Sequence, residues 1–158
     1  MGIDAGVRLR AAQGYAELGM VAAAWRELAA VGDEVQRRLD PDALQTEIVL
    51  LIKEDRWEEG LERSRHLNKL SPECLMGFIH GAYCLHELGR TKEALELICS
   101  GPRPLRREAV YHYNIACYRA ILGQLDEART SLAKAIEIDP EFRHSARNDP
   151  DLEGLDFP

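Results

Sequence analysis

Three side chains able to bind a metal or move a proton fall within seven residues, in "HGAYCLH" from His80 to His86. His80 and Cys84 are four residues apart, so on a helix they share one face and could begin a zinc site. His86 points elsewhere, and a third and fourth ligand would have to come from another helix, such as Cys117 or His112. A Cys117 thiolate with a His80 base is the other chemistry these residues could support. It needs a depressed thiol pKa and a base held in place by a third group. The sequence has no nucleophile elbow, no glycine-rich phosphate loop and no HExxH. Packed cysteines and half-exposed histidines are the simpler reading, so no metal, cofactor or catalysis is expected.

Two further charged groups are candidates. "GPRPLRRE" carries Arg103, Arg106 and Arg107, which could meet an acidic partner or a phosphate, or could be a connection running into a solvated helical turn. The pairs Glu58-Glu59 and Asp126-Glu127 look like catalytic carboxylates but stand where helices begin. Negative charge there complements the helix dipole.

These residues must be positioned by helices, and the spacing of small residues says how. Gly89 and Gly123 are 34 residues apart, as are Gly60 and Ala94, and Ala94 and Ala128. Pro72 and Pro140 are separated by 68, two such steps. Gly19 and Ala24 repeat the glycine-then-alanine spacing, and two extra residues separate this first unit from the second, where Asp55 replaces the glycine. A fixed period of this length marks a repeat architecture. Each unit reads as two helices. The glycine, or Asp55, lies at the turn between them, where the backbone takes a positive φ. The alanines, and Gly60, lie where two helices cross closely.

The 158 residues suffice for one domain or a short array of repeats. A hydrophobic fraction of 46% fits a folded chain, and a net charge of −7 opposes binding to nucleic acid or to anionic membranes. The longest apolar run, Ile48 to Ile52, is far short of a membrane helix. With no apolar signal core near the N-terminus, a cytoplasmic location is expected. The cysteines, Cys74, Cys84, Cys99 and Cys117, lie within apolar helical patterns and are expected to be reduced and mostly buried.

The fourth unit resembles a tetratricopeptide repeat: Tyr113-Asn114, Gly123, Asp126 to Ala128, Ala135 and Asp139-Pro140 stand in that motif's order. The likeness weakens towards the first unit, and Gly101 and Pro102 cut short the rear helix of the third. The resemblance implies an all-α, right-handed superhelical stack of about four helix-turn-helix hairpins. The repeats would occupy roughly 5–38, 41–74, 75–108 and 109–142 of a single domain, with 143–158 as a C-terminal cap. Phe142, Ala146, Leu152 and Leu155 could shield the last hairpin, and Asn148 or Asp149 could cap a brief helix starting at Pro150. Two residues depart from the family pattern. Glu47 replaces an apolar residue, so it should be paired or open to solvent. Arg119 replaces a bulky one and is a candidate contact for the C-terminal tail.

In this family the front helices line a concave face that receives peptides or helices. The resemblance therefore nominates Leu9, Gln13 and Glu17 in the first unit. It nominates Gln45, Val49 and Lys53 in the second, Ile79, Tyr83, His86 and Glu87 in the third, and Tyr113, Asn114 and Cys117 in the fourth. Tyr83 and Tyr113 would be anchors, or would pack on each other. The lysine–asparagine clamp that holds chaperone C-termini is missing except for Asn114, because Gln45, Ile79 and Tyr113 occupy the candidate places. The implied function is protein–protein interaction, as an adaptor or scaffold with a protein or peptide partner, or as a homodimer. A dedicated secretion chaperone cradling an apolar client segment is the alternative, and a thiol or metal enzyme at His80 and Cys84 a lesser one.

Overall fold

A computed structural model describes residues 4–157 of the chain. Among these residues every regular element is helical. In order they are α1 (Ala5–Glu17), α2 (Val21–Ala29), α3 (Glu34–Arg38), α4 (Pro41–Lys53), α5 (Trp57–Leu70), α6 (Leu75–Glu87), α7 (Thr91–Cys99), α8 (Ala109–Ile121), α9 (Leu125–Ile138) and α10 (Phe142–Arg147). Single 3-10 turns occupy Arg103–Arg107 and Pro150–Leu152. No helix among the described residues is long and apolar enough to cross a membrane.

The four hairpin turns share one geometry. Gly19, Asp55, Gly89 and Gly123 have φ of 72°, 56°, 74° and 76°. The next amide in each case donates to the carbonyl five residues back: Met20 to Tyr15, Arg56 to Leu51, Arg90 to Leu85 and Gln124 to Arg119, at 2.8 to 2.9 Å. This helix-ending motif requires a left-handed residue, which glycine adopts freely and aspartate only with strain. The extra residues after the first hairpin form α3, which is closed by a reciprocal capping box between Asp33 and Gln36. As the Gly101-Pro102 pair implies, α7 is short, with nine residues against fourteen in α5 and α9.

The chain packs as two compact units, Met1–Cys84 and Leu85–Pro158. In the first, one core joins two hairpins: Leu9, Ala12, Ala16, Ala24 and Leu28 pack with Ala43 and Leu50. A second cluster joins Leu44, Ile48 and Leu67. Ala24 is fully buried, as expected for a close helix crossing. Gly60 in α5 meets a tighter constraint, since a Cβ there would lie 3.0 Å from Cys84 Sγ. Glu47 is paired rather than open, accepting from Arg63 Nε at 2.9 Å.

In the second unit α8 packs between α7 and α9, and Ala94 and Ala128 are fully buried. Arg119 does not reach the tail. Its Nη1 donates to Ser131 Oγ of α9 at 2.9 Å, because the shorter path for a guanidinium leads to the hydroxyl of its own hairpin. Of the four free cysteines, Cys84 and Cys117 are buried, Cys74 is half-buried and Cys99 is exposed. The exposure of Cys99 corrects its expected place within an apolar helical face, because α7 ends there.

Two substitutions test the turn. Asp55→Gly should raise stability by up to about 1 kcal/mol, and Gly89→Ala should lower it by about 1 kcal/mol. Urea denaturation followed by circular dichroism reads both, and equal midpoints for all three proteins would show that φ at this position is not limiting.

Candidate functional site

The first unit contains a groove of about 430 Å³ lined from three helices. Gln13, Ala16 and Glu17 come from α1, Gln45, Thr46, Val49 and Lys53 from α4, and Met76 and His80 from α6. Five of these (Gln13, Glu17, Gln45, Val49 and Lys53) carry the spacing that sequence nominates. They project together because steps of four residues return to one face of a helix. Val49 also rests on the core, which fixes the floor of the groove.

The polar groups here are uncommitted. Among the described residues Gln13, Gln45 and His80 make no side-chain hydrogen bond, and neither Glu17 nor Lys53 is ion-paired. Each glutamine amide offers two donors and an acceptor. Burial pushes the His80 imidazole down to about 4. The ring is therefore neutral near pH 7, with one nitrogen donating and the other accepting.

Sequence reasoning weighed His80 as the start of a zinc site, preferred a half-exposed histidine, and did not nominate it as a wall of this groove. The signal was available: His80 lies 34 residues before the nominated Asn114 and 34 after Thr46. Two nominated residues of the first unit belong instead to the interior. Leu9 is part of the core, and Ile79 is only 5% exposed. Tyr83 is half-buried with its ring edge-on to Trp57, the centroids 5.8 Å apart.

The nominated residues of the second unit are engaged by the chain's own C-terminal segment. Tyr113 Oη donates to Asp149 Oδ2 at 2.6 Å, and its ring stacks on Phe142 at 4.7 Å, so its aromatic partner is Phe142. Cys117 Sγ lies 3.6 Å from the same carboxylate oxygen. His86 Nε2 donates to Asp151 Oδ2 at 2.8 Å, and its Nδ1 meets the Thr91 hydroxyl at 2.9 Å. Of the remaining two, Asn114 is half-buried and Glu87 is exposed. Asp149 also caps the turn at Pro150–Leu152 by accepting from Asp151 N at 3.0 Å. Ala146, Leu152 and Leu155 are buried beneath this segment.

Cys117, Asp149 and Asp151 form a trio whose ligand atoms lie within 4.8 Å of one another. Their polar atoms are already joined by hydrogen bonds to each other, Tyr113 and His86. Burial, followed by the charges of Asp149 and Asp151, pushes the Cys117 thiol up, so it stays protonated and is a poor nucleophile. Burial and then the Asp149 hydrogen bond likewise push the Tyr113 phenol up. Among the described residues no third ligand joins His80 and Cys84.

Residues 109–142, the span of the α8–α9 hairpin, match the tetratricopeptide repeat family model. The α8–α9 hairpin matches a tetratricopeptide repeat. The sequence match covers one hairpin, and structural likeness extends the fold over the rest. The thermophilic tetratricopeptide-repeat protein TTC0263 of Thermus thermophilus superposes with a TM-score of 0.81 at 24% identity, covering 90% of this chain and 80% of that one. MamA from Desulfovibrio magneticus RS-1 gives a TM-score of 0.71 at 20% identity, over 89% of this chain and 78% of its own. YrrB, described as a tetratricopeptide-repeat protein with an unusual peptide-binding site, gives 0.67 at 15% identity over 96% and 82%. Comparison with curated proteins gives no match. The fold is that of an all-helical repeat protein.

The state of His80 predicts a pH dependence. Its folded pKa lies below the ordinary value of 6.5, so the unfolded chain binds the extra proton between about 4 and 6.5. This contribution to stability is complete above pH 6.5 and is lost as pH falls towards 4. Between pH 7 and 4.5 the wild type should lose on the order of 2 kcal/mol more than His80→Gln. Urea midpoints at the two pH values measure the difference, and identical losses would show that His80 is solvated.

Proposed function

We propose that the protein is a small adaptor that binds an extended peptide segment of a partner protein in the groove between α1, α4 and α6. One observation carries this reading: Gln13, Gln45 and His80 present uncommitted polar groups around the apolar patch of Val49 and Met76. An extended peptide brings unpaired backbone N–H and C=O groups at regular intervals, which glutamine amides can satisfy in either direction. The apolar patch accepts a side chain between them, and Glu17 and Lys53 at the rim favour one orientation of a charged segment. The volume falls within the range of ligand sites that enclose a short segment. YrrB offers a precedent for peptide binding on this fold.

A mixed lining of this kind suits a segment read through its backbone better than the wholly apolar client segment of a secretion chaperone. The same chemistry explains why the second unit is the poorer candidate. There the corresponding side chains already hold Asp149 and Asp151. An adaptor that binds proteins in this way needs no cofactor, and a cytoplasmic location is consistent with reduced thiols.

Peptides selected against the wild-type protein from a random displayed library test the reading. Their affinity, measured by fluorescence anisotropy, should fall at least about tenfold with Val49→Arg, which fills the groove, or with Gln45→Ala. Glu153→Gln, in the second unit, should leave it unchanged. Selected peptides that bind both groove variants as tightly as wild type would place the interaction elsewhere. Circular dichroism separates loss of the groove from loss of the fold.

A further inference from the structure

We propose that the α8–α9 hairpin carries a second site, a cationic pocket that takes a phosphate monoester. The pocket has a volume of about 560 Å³ and is bounded by Arg106, Tyr111, His112, Ile115, Arg119 and Lys134. It gathers three cations, and its one carboxylate is Glu137, paired with Lys134 at 2.9 Å. In a chain of net charge −7 this is a local reversal of sign. It also brings together two features that the peptide groove leaves unexplained, the "GPRPLRRE" segment and the arginine at position 119.

Both arginines are held without being neutralised. Arg106 donates to the carbonyls of Cys99 at 3.1 Å and Gly101 at 3.4 Å. Arg119 donates through Nη1 alone, to Ser131 Oγ at 2.9 Å and the Glu127 carbonyl at 3.4 Å. Among the described residues no carboxylate pairs with either. The Nε and Nη2 groups of Arg119 and the Nε of Arg106 are left to an incoming acceptor. His112 Nε2 donates to the Arg106 carbonyl at 2.9 Å and fixes the segment that carries it.

The two charges share one pocket: Arg106 and Arg119 both line it together with Tyr111. A single guanidinium satisfies a carboxylate. Two held without counter-charge on the wall of one pocket match a phosphate dianion better. Ile115 and the edge of Tyr111 offer apolar surface to the organic part, and the volume leaves room for it.

The ester could be a free small molecule or a phosphorylated side chain, and two probes distinguish these sources. Titrating the isotope-labelled full chain with phenyl phosphate, and separately with a short phosphotyrosine peptide, should move amide resonances of residues 106–119 and 130–137. Arg119→Gln and Arg106→Gln should each raise the dissociation constant at least about fivefold. Arg129→Gln, which disrupts only an exposed pair with Asp126, should not. Affinity should also fall as salt is raised. Tighter binding of the peptide assigns the site to a partner's side chain, and tighter binding of phenyl phosphate to a small ligand. Equal affinity in both arginine variants with retained helicity, or no saturable shift with either probe, would overturn the site.

Discussion

A hairpin of two short amphipathic helices has more apolar surface than its own two helices can hide from each other. The rest of this structure depends on that constraint. The first hairpin covers its surplus with Ala43 and Leu50 of the second, so that Leu9, Ala12, Ala24 and Leu28 share one core with them. Close approach follows from size at the crossing points. Ala24, Ala94 and Ala128 are all fully buried, and Gly60 leaves the space that Cys84 needs. Left-handed turn residues then reverse the chain at a constant geometry, so that each front helix presents corresponding positions.

Regular hairpins produce comparable faces, but the chain uses them differently. In the first unit, Gln13, Gln45 and His80 border a groove with their hydrogen-bonding capacity unspent. In the second, Tyr113, Cys117 and His86 are bound to two aspartates of the C-terminal segment, while Leu152 and Leu155 bury their side chains beneath it. The segment after α9 thus covers one side of the last described hairpin. The polar clamp directs that cover by giving each carboxylate a specific donor, which a purely apolar cap could not do.

The polar departures from the repeat pattern show how charge is accommodated between helices. Glu47 meets Arg63 across the α4–α5 hairpin, and both side chains are largely shielded, so removing one partner would strand the other. Arg119 is anchored by neutral acceptors, which leaves its charge available. These two residues differ in one physical respect: the first is neutralised within the fold and the second is held by neutral acceptors.

The repeat itself was legible in the sequence because a 34-residue recurrence of small and turn residues reflects backbone geometry and helix crossing distance, which are local requirements. Asp55 could be read as a strained turn, Gly101-Pro102 as the end of a short helix and Asn148 or Asp149 as a cap on the same grounds, and the structure selects Asp149. Five residues that the family resemblance nominates, Gln13, Glu17, Gln45, Val49 and Lys53, line the groove, since steps of four return to one helix face. Tertiary packing decided the rest. Spacing could not say that Leu9 and Ile79 turn into the interior, because depth depends on the neighbouring helix rather than on period. Nor could it say that Asp149 and Asp151 would occupy Tyr113, Cys117 and His86, or that Arg106 and Arg119 would line one pocket. Hydrogen bonds between residues more than thirty positions apart form only when the backbone places donor and acceptor within about 3 Å, and no repeat in the sequence encodes that distance.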